Sequence, residues 1–178
     1  WSIDSFNCVG EVSAHNSFIK TFAFYAERGC FFTSCANLVN LYDSLTLTKI
    51  ASFRGHCDEI RTTKVHENYF ICAGKGNPNS ITFWDIRKLD YPLCEKEKNL
   101  DIFSFLSIED SFYYGCRDHK VHKMRNTDLE VQKSLEPSHY DTVTSLALYE
   151  NVLISGSRDK NLRIWDYESP KEIKTVIN

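Results

Sequence analysis

No stretch of the 178 residues approaches the run of about 18 apolar side chains that a membrane helix needs. The chain does not open on the basic, apolar and small-residue succession of a secretory signal. Neither a spanning helix nor a cleavable leader is therefore expected within these residues. An excess of basic charge is missing too: 21 Lys and Arg stand against 24 Asp and Glu, for a formal net charge of −3. A nucleic-acid surface needs a basic patch or stripe to meet phosphates, so that class of partner is disfavoured. Cysteines fall at 8, 30, 35, 57, 72, 94 and 116, an odd number without a tight framework, and cannot all pair within the chain. A reducing compartment, the cytoplasm, is the simpler expectation, although the chain opens on Trp1 rather than on Met. Gly-x4-Gly-Lys-Ser/Thr, the phosphate loop of a motor or nucleotidase, is absent.

What is present is an ordinary globular balance, 42% hydrophobic and 25% charged, skewed toward Phe and Tyr with interspersed Val, Ile and Thr. That usage favours strands. One domain is the default at this length. The segment SGSRDKNLRIWD, residues 155 to 166, then proves to be one copy of a repeat. Trp165-Asp166 has counterparts at Trp1-Ser2, Tyr42-Asp43, Trp84-Asp85 and Met124-Arg125, spaced by 41, 42, 40 and 41 residues. Ahead of three of these stand Ala14-His15, Gly55-His56 and Ser138-His139, and only the third unit lacks its histidine. A period of about 41 with a Gly-His pair and a closing Trp-Asp pair resembles the WD repeat, one four-stranded propeller blade per unit.

Strand patterns keep the same period. Alternating or apolar runs predict strands at 19–24, 30–34, 38–42 and 48–53, then at 60–65, 69–73, 80–84 and 92–96. The third unit gives 102–108, 112–116, 120–124 and 130–134, and the last 143–149, 152–156, 162–165 and 172–176. The expected division is blades at 15–55, 56–98, 99–138 and 139–178, with 1–14 as the outer strand of an upstream blade. The fold class is thus all-β, a WD-repeat propeller of about four blades. In a seven-blade ring each blade takes about 51° of arc, so four fill little more than half a circle. Open ends would expose apolar blade faces. The expectation is a part of a larger seven- or eight-blade ring, with two copies closing eight blades as the alternative.

Several residues invite a chemical reading. His139, Ser155, Asp159 and Trp165 match the hydrogen-bond tetrad of the WD family, which pins a turn to the loop that leads into the blade. A Ser-His-Asp catalytic triad is the rival, but these residues recur at blade spacing and nothing supplies an oxyanion site. No catalytic residue is assigned. The first unit has Ala36 for the turn Asp, the second a longer turn GKGNPN, and the third Asp118 with Met124. Cys116, His119 and His122 carry soft-ligand spacing for zinc. Because Cys116 ends one strand, His119 sits in the turn and His122 lies in the next strand, no metal and no cofactor is assigned. Cys30 and Cys35 flank a strand and read as buried thiols rather than a redox pair. AGKGNPNS reads as a lengthened turn, and CEKEKN as a solvated outer edge.

A narrower likeness covers Gly115 to Asp166, where EPSHYDTVTSL, ISGSRDKNLRIWD and CRDHKVHKM resemble the C-terminal propeller of the kinesin-4 class. GKGNPN and CEKEKN depart from that pattern. The resemblance implies a non-enzymatic protein-interaction scaffold, the cargo, adaptor or microtubule-associated tail module of a motor. The alternative is the substrate-recognition propeller of a ubiquitin ligase. Carried over from the WD family, partner contacts would fall at Cys35, Arg117 and Arg158, before the turns. At the approach to the innermost strands they would fall at Asn16, Phe18, Cys57, Glu59, Tyr140 and Thr142. Arg117 and Arg158 suit an acidic motif in a protein or peptide partner.

Overall fold

A computed structural model describes residues 7, 8, 10–56, 58–76, 79–97, 100–167 and 171–176. Among these residues sixteen strands form four antiparallel sheets of four, each in simple sequence order. The first comprises β1 (Thr21–Tyr25), β2 (Cys30–Cys35), β3 (Leu38–Asp43) and β4 (Lys49–Arg54). The second holds β5 (Ile60–His66), β6 (Tyr69–Gly74), β7 (Asn79–Asp85) and β8 (Cys94–Glu97). The third holds β9 (Ile102–Ile108), β10 (Ser111–Cys116), β11 (Val121–Arg125) and β12 (Val131–Ser134). The fourth holds β13 (Val143–Tyr149), β14 (Val152–Ser157), β15 (Leu162–Asp166) and β16 (Lys171–Val176).

Three of the strands that begin later than the sequence pattern suggests, β8, β11 and β12, do so for reasons of local chemistry. Pro92 has no amide to give a ladder, and β8 starts beyond it. Lys120 and Glu130 donate their amides to Asp118 and Asp128 in turns, so β11 and β12 start one residue on. Half of the outer strand expected at 1–14 falls on residues outside those described; residues 7, 8 and 10–14 form no strand.

The sheets pack face to face through three apolar seams. Between the first and second, Phe32 stacks on Phe70 with centroids 4.1 Å apart, and Val39, Leu41, Ile60 and Trp84 complete the layer. Between the second and third lie Ile71, Ile81, Phe83, Ile102, Phe105 and Met124. Tyr113, Val121, Val143, Leu153 and Trp165 join the third to the fourth. Each fully buried side chain of this size contributes about 1.5–3 kcal/mol of transfer free energy. Innermost strands neighbour one another in the order β1, β5, β9, β13. Among the described residues no core cluster joins the fourth sheet to the first, so the blades form an open arc.

One irregularity positions the site. The register of the innermost pair skips one residue at Arg61, at Phe103 and at Thr144, a bulge at the same place in three blades. Blade one has none. Its β2–β3 turn is a residue shorter, with Cys35 paired to Leu38 and Ala36 held at φ 50°.

Candidate functional site

Four side chains of the last blade form one closed network. His139 Nδ1 lies 2.9 Å from Asp159 Oδ2, and His139 Nε2 lies 2.8 Å from Ser155 Oγ. The Trp165 indole N–H donates to the same Ser155 oxygen at 2.9 Å. A carboxylate only accepts, so Nδ1 carries the proton, and the Ser155 hydroxyl gives its hydrogen to Nε2 while accepting from the indole. Burial pushes the Asp159 carboxyl up, but the Tyr140 and Asn161 amides and the His139 ring outweigh it and hold it at about 2. Ser155 is fully buried with its hydroxyl committed on both sides, so it cannot meet a substrate as a nucleophile.

The other blades satisfy the same position differently. In blade one His15 Nε2 meets Thr33 Oγ1 at 2.9 Å, while Asn40 Nδ2 and the Tyr42 hydroxyl both donate to the Ala14 carbonyl. In blade two Cys72 stands at the ladder position of Ser155. There Trp84 donates to the Gly55 carbonyl, and His56 Nδ1 lies 2.8 Å from Thr82 Oγ1. Burial lowers the pKa of both His15 and His56.

Blade three carries the informative exception. The histidine missing from its approach is replaced from within the hairpin: His122 Nε2 lies 2.7 Å from Asp118 Oδ2, and Nδ1 lies 2.9 Å from Ser134 Oγ. Tyr114 takes the ladder position of Ser155 and stacks on His122 at 5.1 Å. Of the zinc-like trio, His119 is an exposed turn residue at φ 72° and does not join the others. Asp118 stands with Cys116 and His122 instead, their ligating atoms within 4.8 Å of one another.

Around the bulges a second, exposed constellation gathers. Lys75, Arg117 and Arg158 occupy equivalent places, each fixed by its own amide donating to the carbonyl sixteen residues back, at Glu59, Asp101 and Thr142, over 2.9, 2.9 and 3.0 Å. Arg61 and Arg158 both stand over the Phe103 ring, 4.2 and 5.6 Å from its centroid. Asp101 pairs with Arg61 at 3.6 Å and Arg117 at 3.4 Å, and Glu59 pairs with Lys20 and Arg61. Arg117 keeps 74% of its side chain in solvent, and Arg158 forms no ion pair among the described residues.

Most residues expected as contacts can be placed against this constellation. Arg117 and Arg158 belong to it, and Glu59 is half-buried beside Arg61. Asn16, Phe18 and Tyr140 are exposed on the approach loops. Cys57 lies outside the described residues. Cys35 and Thr142 need correction: both are buried, Cys35 inside β2 because the shorter turn draws it into the strand, and Thr142 as β13 begins. Neither side chain can reach a partner in solution. Lys75, Arg61, Asp101 and Phe103 were not anticipated. The sixteen-residue offset between pre-turn and approach residues would have found Lys75 and Asp101. Without a histidine to anchor the third unit, that offset had no starting point, and a bulge leaves no mark in an apolar pattern.

Cys30 and Cys35 sit at opposite ends of β2 and form no disulfide; burial raises the Cys30 thiol. No helix among the described residues is long and apolar enough to cross a membrane.

Four consecutive four-stranded blades, with an intact His-Ser-Asp-Trp network in the last, define an all-β WD-type propeller arc. Residues 130–166, the unit with that network, match the WD40 family described as WD domain, G-beta repeat, so the chain carries a WD repeat. It is 27% identical over 168 residues to the CCR4-associated factor 4 homolog of Candida glabrata, covering 93% of this chain and 24% of that protein. It is 26% identical over 170 residues to mitochondrial division protein 1 of Neurospora crassa, covering 94% of this chain and 25% of that protein. The chain thus spans about a quarter of the length of these relatives. Among solved structures, the computationally designed Ika4 protein superposes with a TM-score of 0.74 at 18% identity, over 88% of this chain and 95% of that one.

Proposed function

We propose that the chain is a non-enzymatic interaction scaffold that takes an acidic peptide segment of a partner protein at the bulge-side face of the blades. The observation that carries this is the repeated cationic position at Lys75, Arg117 and Arg158, held in register by one backbone bond per blade beside Arg61 and Phe103. Guanidinium groups fixed at their base and open at their tip suit paired hydrogen bonds to carboxylates. Phe103, half-buried between two cations, offers an apolar floor to a side chain next to the acidic one. The Ser155 hydroxyl, enclosed by His139 and Trp165, argues against hydrolytic use of the triad-like set in the last blade.

The larger assembly is read by likeness. Two relatives are named for CCR4 association and for mitochondrial division, and for this chain we favour an adaptor role in a protein assembly. The kinesin-4 tail and ubiquitin-ligase readings rest on sequence resemblance alone, and neither of those two relatives bears such a name. Fluorescence anisotropy with a labelled Asp- and Glu-rich dodecapeptide tests the site. Arg117→Glu with Arg158→Glu is expected to weaken binding at least about tenfold, and added salt to weaken it for the unaltered chain. Unchanged affinity in a variant that melts normally would overturn the assignment of this face.

A further inference from the structure

The β10–β11 hairpin of blade three departs from its counterpart in blade four in a way that supplies metal ligands. Ladder register sets Tyr114 and His122 where blade four has Ser155 and Arg163. Two residues beyond Tyr114 and Ser155 stand Cys116 and Ser157, and Asp118 and Asp159 share the turn position that follows. Blade four thus holds a hydroxyl, a carboxylate and a guanidinium where blade three holds a thiol, a carboxylate and an imidazole. Alternation along β10 puts Cys116 on the same sheet face as Tyr114 and its ladder partner His122. The turn brings Asp118 back to that face, and the ligating atoms of Cys116, Asp118 and His122 lie within 4.8 Å of one another.

The surroundings hold this set in place. Cys116 is 0% exposed and His122 9%, whereas Asp118 keeps 31% of its side chain in solvent. The far nitrogen of His122 lies 2.9 Å from the Ser134 hydroxyl, the kind of outer contact that orients a ligating imidazole. Tyr114 is wholly buried and stacked on the same ring, and its hydroxyl has no hydrogen-bond partner among the described residues. Burial first, then the charges of Cys116 and Asp118, push that hydroxyl's pKa up, so it stands beside the same two groups.

We propose that this hairpin binds one divalent transition-metal ion, zinc by its donor set, through Cys116 Sγ, Asp118 Oδ2 and His122 Nε2. Zinc takes S, N and O donors in a tetrahedron at about 2.0–2.3 Å, which sets neighbouring donor atoms about 3.3–3.6 Å apart. The 2.7 Å contact between His122 and Asp118 then opens by about 0.6 Å, a small movement for a carboxylate on an exposed turn. In the structure His122 Nε2 carries the hydrogen toward Asp118, and Ser134 donates to Nδ1. On binding, the imidazole hydrogen moves to Nδ1, the Ser134 hydroxyl turns to accept it, and the ring stays neutral. Cys116 loses its thiol proton to solvent, so one proton leaves per ion bound. Water takes the fourth position and gives the Tyr114 hydroxyl the partner it lacks. Metal uptake is read with no peptide present, so this site stands or falls separately from the acidic-peptide reading.

Cobalt titration of the chain, kept reduced with a phosphine, tests the site. A thiolate ligand gives Co2+ a charge-transfer band in the near ultraviolet, and four-coordination gives it intense visible bands. The unaltered chain is expected to take up one equivalent with both features, to lose them when Zn2+ is added, and to release one proton per ion into weakly buffered solution. Cys116→Ser, which installs the residue that blade four already has, is expected to abolish the charge-transfer band. Asp118→Asn, which keeps the oxygen that accepts from the Lys120 amide, is expected to weaken uptake at least about tenfold. His119→Asn, on the exposed turn, is expected to change neither. A cooperative melt checks that each variant folds, and Asp118→Asn decides the matter if Cys116→Ser does not fold. No uptake, uptake without the charge-transfer band, or a band that survives in Cys116→Ser would overturn the proposal. So would unchanged affinity in Asp118→Asn, or loss of binding in His119→Asn.

Discussion

His139→Ala tests the energetics of the last blade most directly. The ring is almost wholly buried, and its two nitrogens hold Asp159 and Ser155 at 2.9 and 2.8 Å. Asp159 would keep the Tyr140 and Asn161 amides, each at 2.9 Å, so its charge would not be left bare. Ser155 would still accept from Trp165, but its hydroxyl hydrogen would lose its acceptor inside a site that solvent does not reach. Stranding a buried donor costs about 1–3 kcal/mol, and losing a hydrogen bond to a carboxylate costs about 1.5–3. With some relief as the site relaxes, a loss of about 3 kcal/mol is expected, or roughly 6–12 °C in Tm for a chain of this size. Urea titration followed by tryptophan fluorescence measures it, with an unchanged slope showing that the unfolding transition itself is the same. Ser155→Ala should cost about 2 kcal/mol alone, and the double variant clearly less than the sum, because the two groups share one network. An unchanged midpoint, or strict additivity, would refute the account.

Three further outcomes follow from the same structure. Asp159, held at about 2 against an ordinary 3.8, contributes stability that is full above the unfolded value. That contribution, on the order of 2 kcal/mol, is lost as pH falls from about 4 through 2; an acid melt of Asp159→Asn lacking this component would agree, and an identical acid limb would not. Tyr114 buries its hydroxyl without a hydrogen-bond partner, so Tyr114→Phe is expected to raise stability by about 1 kcal/mol, and a lowered Tm would contradict that. Gly74→Ala would bring a methyl to 2.1 Å from the Glu59 carbonyl oxygen and 2.8 Å from the Arg61 amide, both backbone atoms at the bulge; a loss of about 3 kcal/mol or an insoluble product is expected, and a neutral melt would show the bulge to be soft.

The repeat was legible because a blade imposes two periods at once, alternation within strands and about 41 residues between Trp or its substitutes. The last-blade network was legible too, since His139, Ser155, Asp159 and Trp165 are four polar or aromatic types at fixed offsets. What could not be read was substitution across strands. His122 sits where blade four has Arg163, so its pairing with Asp118 follows from ladder register and not from spacing along the chain. Cys35 was misplaced for a related reason: one residue fewer in a turn shifts every position before it, and sequence spacing cannot tell which side of the turn lost it. Arg61 and Phe103 became neighbours through bulges in two different strands, a relation visible only once both sheets are built.

The seams also differ in their polar contacts. Thr21 meets Thr63 and Tyr25 meets Asn68 between blades one and two; His66 meets Ser107 between two and three; Tyr113 and Tyr167, with Glu109, link three and four. Among these contacts no two seams use the same pairs. Blades that look interchangeable by their strands are therefore keyed to their neighbours. A chain with its second and third units exchanged would keep every hairpin yet set Thr21 and Tyr25 against the wrong edge. These mismatched contacts act in the same direction as the short connections between blades, each favouring the neighbour that the chain already places beside it.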